Sequence, residues 1–413
     1  MFRSTQPKTL IAALCGLSAA ACMATSQDAP TPTLAPVDAA EQLLAPWVSD
    51  DAPGVAVAVS WKDELVYARG AGMANLEHDI PLSPSSVFQV ASVSKQVTAF
   101  ATLLLVSDGL IELDEDVRTY VPDFPQTETI ITVRHLLDHA SGLRERTTLA
   151  AMAGWMPDDI STERQMRTLI KRQRGVNFPA GAETEYSNTG YAVLAEIVER
   201  VSGMSFPAFT KARLFDPLGM TQSQFPESRN TLIPERAASY YPTQTGFAYV
   251  IAASETFGSS GLYTSPLDLL KWAENFETQT VGDALVFELM EERFSAANGK
   301  DATFAKGQEL RPYKGFETWS HGGTDAGYRS FLLRVPSEDL EISVISNRTD
   351  FDKATFAFEL ADVFLFPGEA APEEPVEDWA PASADELAAY AGDYELLPVV
   401  IFSLRAELGG LTF

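Results

Sequence analysis

The sequence predicts an α+β protein in which strands from both ends of the folded domain share one antiparallel sheet. Two β-rich runs in residues 54–72 surround a turn at Lys62–Glu64, which is the pattern of a hairpin. A second such pattern occupies residues 328–348 and turns at residues 336–339. Helical patterns lie between these hairpins, at residues 95–108, 132–139, 163–174, 189–202 and 266–277. We therefore expect helices to flank the sheet and a mostly helical insertion to separate its two halves.

Length and composition indicate a globular protein. The chain has 413 residues, of which 46% are hydrophobic, enough for one large domain of about 300 residues or for two ordinary ones. Lys and Arg number 30 against 57 Asp and Glu, so the net charge is 30 − 57 = −27. Such a balance repels phosphate backbones and anionic membrane surfaces. Nucleic acid is therefore not an expected partner. The sequence does not indicate an oligomeric state.

Residues 1–22 have the plan of a secretory signal peptide. Two basic residues precede an apolar run from Leu10 to Ala21, which is too short to span a bilayer. The tetrapeptide Ala-Ala-Ala-Cys at residues 19–22 also resembles a bacterial lipobox, in which Cys22 would become the lipidated first residue. Plain cleavage and lipidation both stay open. We expect an exported, periplasmic protein that is either soluble or tethered to a membrane through Cys22.

Changes in composition divide the remaining chain. Residues 23–37 form a linker of Pro, Thr and Ala, and residues 38–368 form the main domain. An acidic, Pro-rich linker follows at residues 369–384. Residues 385–413 are β-rich, but a segment this short does not build a core alone. It either adds to the main domain or is the start of a truncated one.

The stretch QVASVSKQVTAF at residues 89–100 places Lys95 three residues after Ser92, at the start of an apolar helix. On a helix, this spacing puts the amine one turn above the hydroxyl. Burial beside an apolar helix lowers the pKa of a lysine, and a neutral lysine can accept a proton from a serine. The alternative is structural, with Ser92 capping the helix and Lys95 reaching to solvent.

Two further triplets lie at places where a cleft can form. Tyr-Ser-Asn at residues 186–188 joins a loop to a helix, and its alternative role is an Asn N-cap beside a packed tyrosine. His-Gly-Gly at residues 321–323 follows a strand-like segment, where glycines allow a ligand to approach the backbone closely. Its alternative role is a tight turn with a surface histidine.

The order and spacing of these three motifs resemble the serine β-lactamase and penicillin-binding-protein superfamily. The likeness is to the branch of class C β-lactamases, DD-carboxypeptidases, D-aminopeptidases and related esterases, and it covers residues 38 to about 350. Five segments carry it: VFQVASVSKQVTAF, ITVRHLLDHASGL, FPAGAETEYSNTGYAVLAEIVERVSG, GSSGLYTSPLDLLKWA and WSHGGTDAGYRS. The resemblance implies the β-lactamase/transpeptidase-like fold.

The resemblance also implies a serine hydrolase that forms an acyl-enzyme on Ser92. Lys95 would take or relay the proton of Ser92, and Tyr186 would be the second base. Which of the two is the acylation base stays open. The pair would rest either as a lysine cation with a tyrosinate or with both side chains neutral. Neither a metal nor another cofactor is implied.

Substrate-binding residues follow from the same resemblance: Asn188, His321, Gly322, Gly323 and Thr324. Asn188 would hold Lys95 and the substrate amide, and residues 321–323 would line the substrate. The backbone N–H groups of Ser92 and Thr324 would form the oxyanion hole.

One departure from the superfamily concerns the substrate. Many β-lactamases carry Lys-Thr-Gly or Lys-Ser-Gly where this chain has His321 and its two glycines. A histidine is mostly neutral at pH 7, so anion recognition should be weaker here. We therefore expect an esterase or a D-amino-acid peptidase or carboxypeptidase, acting on a small-molecule ester or a D-amino-acid peptide. The alternatives are a β-lactamase, or a penicillin-binding sensor that is acylated without efficient turnover.

His135 and His139 stand four residues apart, a spacing that can hold a metal ion on one helical face. No third ligand is apparent nearby in the sequence. We therefore expect no metal at this pair.

Overall fold

A computed structural model describes residues 34–156, 159–368, 371–372, 388, 390–397, 400–407 and 410–412. The helices of this part of the chain are α1 Leu34–Leu44, α2 Ser94–Ser107, α3 Val117–Tyr120, α4 Val133–Leu137, α5 Arg146–Met152, α6 Glu163–Lys171, α7 Asn188–Ser202, α8 Phe206–Thr210, α9 Pro266–Thr278, α10 Ala284–Glu291 and α11 Lys353–Leu365. Its strands are β1 Val55–Trp61, β2 Glu64–Ala71, β3 Met73–Asn75, β4 Ile80–Pro81, β5 Phe88–Gln89, β6 Ser161–Thr162, β7 Tyr240–Thr243, β8 Gly246–Tyr249, β9 Ser254–Glu255, β10 Tyr263–Thr264, β11 Phe304–Ala305, β12 Gln308–Tyr313, β13 Phe316–Asp325, β14 Tyr328–Val335, β15 Leu340–Ser346, β16 Gly392–Leu397, β17 Val400–Glu407 and β18 Gly410–Thr412.

The central sheet has seven strands in the order β11-β12-β13-β14-β15-β1-β2. β1 pairs antiparallel with β15, with Val55 opposite Ser346 and Trp61 opposite Leu340. Strands that are far apart in sequence therefore lie side by side at the middle of the sheet. This pairing confirms the predicted α+β fold, in which both ends of the domain build one antiparallel sheet.

Both predicted hairpins are confirmed. β1 and β2 pair around residues 62–63, and both Lys62 and Asp63 have positive φ, at 55° and 63°. β14 and β15 pair around a 3-10 turn at Pro336–Glu338, which ends at Asp339 with φ of 47°. β1, β14 and β15 are buried along nearly their whole length, so both of their faces are packed. A slip by one residue would exchange the side chains of the two packed faces, which holds the register.

Helices cover the sheet on both faces. One hydrophobic cluster joins side chains of α1 and α11 to β1, β14 and β15. The larger cluster includes α2, α7 and α9. α2 is buried along nearly its whole length, as its all-round apolar sequence predicts. Because α2 lies inside the larger cluster, its N-terminus is held in place by packing on several sides.

The first helix begins earlier than the expected domain start. α1 starts at Leu34, within the segment 23–37 expected to be a linker. Pro36 lies in its first turn, where a missing backbone N–H breaks no helical hydrogen bond. The predicted signal peptide and Cys22 lie outside the described residues, as does most of the acidic linker.

The C-terminal segment contains an antiparallel three-stranded sheet formed by β16, β17 and β18. Among the residues described, no helix is both long and apolar enough to cross a membrane.

Candidate active site

Ser92 lies in a 3-10 turn at Ala91–Val93 that leads directly into α2. Ala91 has a φ of 47°, which is an unusual conformation for a residue with a β-carbon. The carbonyl group of Val90 accepts a hydrogen bond of 2.8 Å from the side chain of Ser330 on β14. The strained turn is thus fastened to the sheet, and Ser92 is partly exposed at its apex.

Lys95 lies one turn further along and is completely buried. Its Nζ atom is 3.2 Å from Oγ of Ser92. The same atom donates hydrogen bonds to Oδ1 of Asn188 at 2.7 Å and to the carbonyl oxygen of Ser259 at 2.9 Å. Burial lowers the pKa of Lys95 well below its usual value of 10.5, while the carboxylate of Glu145 opposes the shift.

A neutral lysine matches these three partners. An uncharged amine has two N–H bonds and one lone pair. The two atoms that face the amine, Oδ1 of Asn188 and the carbonyl oxygen of Ser259, can only accept, so they use both N–H bonds. The lone pair then remains for the hydroxyl hydrogen of Ser92. The arrangement can therefore remove the proton from Ser92 without any movement of the lysine.

Tyr186 lies between Lys95 and His321 in the site. The Nζ atom of Lys95 lies 4.6 Å from the centre of its ring, and its Oη atom lies 3.5 Å from Nε2 of His321. Tyr186 is 37% exposed, but the residues packed around its hydroxyl group remove water from it and raise its pKa, and a hydrogen bond with Ser92 opposes that shift. The lowered pKa of Lys95 and the raised pKa of Tyr186 favour the resting state in which both are neutral, rather than a lysine cation with a tyrosinate.

Asn188 is the first residue of α7, and its amide group points at the lysine. The N-cap of this helix is Ser187, whose hydroxyl accepts from the N–H of Gly190, so the alternative role of Asn188 as an N-cap is wrong. Glu145 accepts a 2.8 Å hydrogen bond from the N–H of Asn188. A carboxylate at a helix N-terminus is favourable, and here it fixes the start of α7 beside Lys95.

The His-Gly-Gly motif lies inside strand β13 rather than after a strand, as the sequence had suggested. The pairing of β13 with β12 ends at Ser320, so, among the described strands, residues 321–325 have β14 as a neighbour on one side only. An added β-carbon at Gly323 would lie 2.2 Å from the carbonyl oxygen of Val90. Glycine is thus needed for the strand to approach the turn that carries Ser92. The edge at residues 321–325 can accept an extended substrate.

His321 is buried, so the alternative role of a surface histidine in a tight turn is wrong. Burial, with help from the charge of Lys95, lowers its pKa to about 3. Its Nδ1 atom lies 2.7 Å from the carbonyl oxygen of Gly322, which can only accept, so the proton of the neutral ring is on Nδ1. Nε2 is then an acceptor that faces the hydroxyl of Tyr186.

A model of the family described as Beta-lactamase matches residues 37–363. The chain belongs to the Beta-lactamase family. Among curated relatives, a D-aminopeptidase of Gluconobacter oxydans is 29% identical over 320 residues, which are 77% of this chain and 60% of that protein. Penicillin-binding protein 4* of Bacillus subtilis is 28% identical over 344 residues, covering 76% of this chain and 73% of the relative. This chain thus spans about three fifths of the length of the D-aminopeptidase that it matches.

Solved structures show the same fold at lower identity. The octameric penicillin-binding protein homologue of Pyrococcus abyssi aligns with a TM-score of 0.68 and 22% identity, over 90% of this chain and 84% of that one. The D-amino acid amidase of Ochrobactrum anthropi SV3 aligns with a TM-score of 0.67 and 23% identity, over 80% of this chain and 99% of that one.

Two residues that the sequence analysis missed complete the site of this Beta-lactamase-family chain. Lys353, the first residue of α11, donates a 2.8 Å hydrogen bond to Oγ1 of Thr324. Phe304 packs edge-on against the ring of Tyr186 at 5.3 Å and also contacts His321. Neither belongs to a recognisable motif, and both reach the site only because the sheet and α11 fold back on it. Lys353 therefore supplies a cation near the strand position where a Lys-Thr-Gly motif would carry one.

The two neighbouring histidines have structural contacts. His135 completes a capping box with Thr132 at the start of α4. His139 stacks on Tyr186, and its Nδ1 accepts from the N–H of Ser187 at 3.0 Å. Within the described part of the chain, no group of three or more His, Cys, Asp or Glu residues could hold a metal ion.

Proposed function

We propose that this chain is a serine hydrolase that cleaves an amide or an ester through an acyl-enzyme on Ser92. The arrangement around Lys95 carries the proposal. In the neutral form of Lys95, its two N–H bonds are used by the oxygens of Asn188 and Ser259, which leaves its lone pair for the hydroxyl group of Ser92, 3.2 Å away. A buried amine in such a position is a base for the nucleophile.

The proton steps follow from the two pKa shifts. Oγ of Ser92 attacks the carbonyl carbon while its proton passes to Nζ of Lys95. The resulting oxyanion is stabilised by the backbone N–H groups of Ser92 and Thr324. Tyr186, whose pKa is raised, keeps its proton in the resting site and donates it to the leaving nitrogen or oxygen. The proton on Lys95 then returns to the tyrosinate, which leaves a neutral amine to activate water for deacylation.

D-Amino-acid amides and peptides are the substrates that we favour. The relatives named D-aminopeptidase and the fold neighbour named D-amino acid amidase support this choice. His321 itself is neutral and gives no anchor for the carboxylate of a β-lactam, and the cation near this position is Lys353, which lies on Thr324. Simple esters have a better leaving group and should be cleaved by the same machinery.

The proposal is tested by labelling and by a substrate panel. An alkyl fluorophosphonate should label the wild type, and peptide mass spectrometry should place the label on Ser92. D-Amino-acid p-nitroanilides, p-nitrophenyl esters, acyl-D-Ala-D-Ala and nitrocefin are then compared on wild type and Ser92→Ala. We expect Ser92→Ala to lose at least about 1,000-fold in kcat. Ser107→Ala, a change at the far end of the same helix, is the control and should keep full activity.

Activity that survives in Ser92→Ala would place the chemistry on another residue. A stoichiometric burst without a steady state would instead identify a sensor that is acylated once. Efficient nitrocefin turnover that exceeds the turnover of all D-amino-acid substrates would favour the β-lactamase alternative.

A carboxypeptidase is a second candidate, and Lys353 favours it. Its ammonium group lies on the hydroxyl of Thr324, at the end of the strand that faces the substrate. A cation there can bind the C-terminal carboxylate of a peptide. Lys353→Met should then raise KM for acyl-D-Ala-D-Ala but not for the corresponding C-terminal amide. Equal changes for both substrates would remove the argument for a carboxypeptidase.

We also propose that the protein is exported to the periplasm, on the basis of the signal-like residues 1–22. Mass spectrometry of the mature protein from a bacterial host tests the two forms of processing. A diacylglyceryl group on Cys22 that disappears in Cys22→Ser would establish a membrane tether. An unmodified N-terminus after a small residue would establish a soluble periplasmic protein, and retention of residues 1–22 in the cytoplasm would contradict export.

A further inference from the structure

The carboxylate of Glu145 joins the starts of two helices beside the site. Its Oε2 atom accepts from the backbone N–H groups of Asn188 at 2.8 Å and Thr189 at 3.4 Å, in the first turn of α7. Its Oε1 atom accepts from the N–H of Thr147 at 3.3 Å and from the hydroxyl group of the same residue at 3.1 Å, in the first turn of α5. These donors are uncharged, so they hold the carboxylate in place without cancelling its charge.

Asn188 connects this carboxylate to the catalytic amine. Its backbone N–H donates to Glu145, and its side-chain oxygen accepts from Nζ of Lys95 at 2.7 Å. Burial lowers the pKa of Lys95 most, and two charged groups among the described residues modify that shift: Glu145 raises the pKa, and Arg146 lowers it to a smaller extent. The half-buried carboxylate therefore acts on the lysine through space as well as through Asn188.

Four other ionisable groups interact with Lys95, and they are neutral at pH 7. Burial lowers the pKa values of His139 and His321, and the charge of Lys95 adds to both shifts. The rings of Tyr186 and Tyr191 lie 4.6 Å and 5.7 Å from Nζ of Lys95, and loss of water around their hydroxyl groups raises both pKa values. These four side chains therefore supply no negative charge that stabilises a proton on the lysine.

Acylation creates a positive charge in this buried site. Lys95 is completely buried, and it becomes a cation when it takes the proton of Ser92. A cation that forms away from water is costly unless an opposite charge lies near it. The carboxylate of Glu145 is already fixed before the proton moves, so it needs no rearrangement to stabilise the cation.

We propose that Glu145 is a positioning residue for acylation, whose carboxylate stabilises the cation that forms on Lys95 when the proton of Ser92 is transferred. The inference deepens the proposed hydrolase function and rests on it. Without the carboxylate, Lys95 would be a weaker base, because burial and the charge of Arg146 would act on it unopposed. Glu145 also holds the start of α7, and a pH profile separates the two roles.

Glu145→Gln removes the charge and keeps the shape of the side chain. The amide oxygen can still accept from the N–H of Asn188, while the amide nitrogen faces the exposed Thr147. We expect kcat/KM for p-nitrophenyl butyrate to fall by about 10-fold at alkaline pH, because the amine is a weaker base. The acid limb of the profile should move to lower pH, because the pKa of Lys95 falls further. The profiles of wild type and variant should therefore converge or cross as pH falls.

The measurement is kcat/KM between pH 5 and pH 9, and the ester has no group that titrates in this range. A merely structural role would lower kcat/KM by the same factor at every pH, and such parallel profiles would overturn the proposal. Glu145→Asp keeps the charge on a shorter side chain, so its acid limb should stay at the wild-type pH while its plateau falls. An acid limb that moves in Glu145→Asp would overturn the proposal even if Glu145→Gln did not fold.

Asp283→Asn is the matched control. Asp283 caps α10 and accepts from the N–H of Val286, but it is not among the charged groups that shift the pKa of Lys95. The control loses the same charge from a helix N-terminus and should keep the wild-type profile. Circular dichroism and thermal melts establish that each variant is folded. An acid limb that moves in Asp283→Asn would assign the effect to net charge and overturn the role of Glu145.

Titration of Lys95 in a protein that cannot be acylated separates the two proposals. NMR follows the Cε signal of Lys95 in Ser92→Ala, and Ser92→Ala/Lys95→Met assigns that signal. Ser92→Ala/Glu145→Gln should titrate at lower pH than Ser92→Ala. Such a difference without any turnover by wild type would sustain the action of Glu145 on Lys95 and refute the hydrolase. Turnover by wild type with equal titration of the two proteins would sustain the hydrolase and refute the role of Glu145.

Discussion

The imidazole of His139 stacks on the phenol ring of Tyr186, with 4.6 Å between ring centres and 26° between planes. His139 follows α4 with a φ of 56°, and this left-handed turn places its ring under the tyrosine. Its Nδ1 atom accepts a hydrogen bond from the N–H of Ser187. One side chain therefore fixes both the ring of Tyr186 and the backbone that follows it.

We expect His139→Asn to lower kcat by about 10- to 100-fold while KM changes little, because a small displacement of Tyr186 impairs proton transfer more than binding. Asparagine tolerates positive φ and keeps an acceptor, so the turn should persist. His135→Asn, at the capping box of α4, is the control and should keep kcat. The measurement is steady-state kinetics on a D-amino-acid p-nitroanilide, and an unchanged kcat in His139→Asn would contradict the positioning role.

Tyr186→Phe tests the proton donor itself. The phenylalanine ring keeps the contacts with His139 and Phe304 but loses the hydroxyl near His321. Loss of a general acid costs about 100- to 10,000-fold, and an amide should suffer more than a p-nitrophenyl ester because its leaving nitrogen must be protonated. The ratio of amide to ester turnover is the readout. An equal loss for both substrates would argue against a donor role.

Two adjacent glycines provide a matched pair for testing how β13 fits against the turn that carries Ser92. An added β-carbon at Gly323 would lie 2.2 Å from the backbone oxygen of Val90. This clash can be relieved only by moving the strand. At Gly322 the nearest atom is Cε of Lys353 at 3.0 Å, the end of a flexible side chain.

Gly323→Ala should therefore abolish most activity and lower Tm, whereas Gly322→Ala should keep the fold and most of the turnover. Thermal melts and fluorophosphonate labelling of Ser92 measure the two effects. Similar behaviour of the two variants would show that close packing at Gly323 does not hold the site together.

Sequence predicted the parts of this molecule that depend on local pattern. The Ser92–Lys95 spacing needs only a helical turn, and the two hairpins need only alternation around a turn. Pairing of β1 with β15 followed from strand patterns at both ends of the domain. Tyr186 could be placed beside Lys95 only through a family resemblance, because no local rule brings together residues so distant in the chain.

The remaining features of the site depend on how helices and strands pack together, and no local sequence pattern shows that packing. Lys353 reaches Thr324 because the start of α11 lies over the sheet. Arg146 belongs to none of the motifs found in the sequence, yet it is buried and donates hydrogen bonds to Thr256 and Ser259. β13 continues through the His-Gly-Gly motif because its pairing with β14 persists to Asp325, although glycines suggest the end of a strand.

Keeping Lys95 neutral has a cost in stability that depends on pH. The pKa of this lysine is lowered on folding, so between that pKa and 10.5 the unfolded chain binds one proton more than the native protein at this residue. Stability from this group then rises with pH, by up to about 1.36 kcal/mol per pH unit. It is fully present only above the unfolded pKa and is lost as pH falls towards the folded pKa.

Lys95→Met removes this dependence, so its free energy of unfolding should rise less steeply between pH 7 and pH 10 than that of the wild type. Lys300→Met, at an exposed position, is the control and should follow the wild-type slope. Urea unfolding at several pH values measures the difference. In the wild type, kcat/KM should also fall as pH drops through the pKa of Lys95, since only the neutral amine accepts the proton of Ser92. Parallel slopes for wild type and Lys95→Met would mean that this lysine is charged in the native protein, and the proton would then have to leave Ser92 by another route.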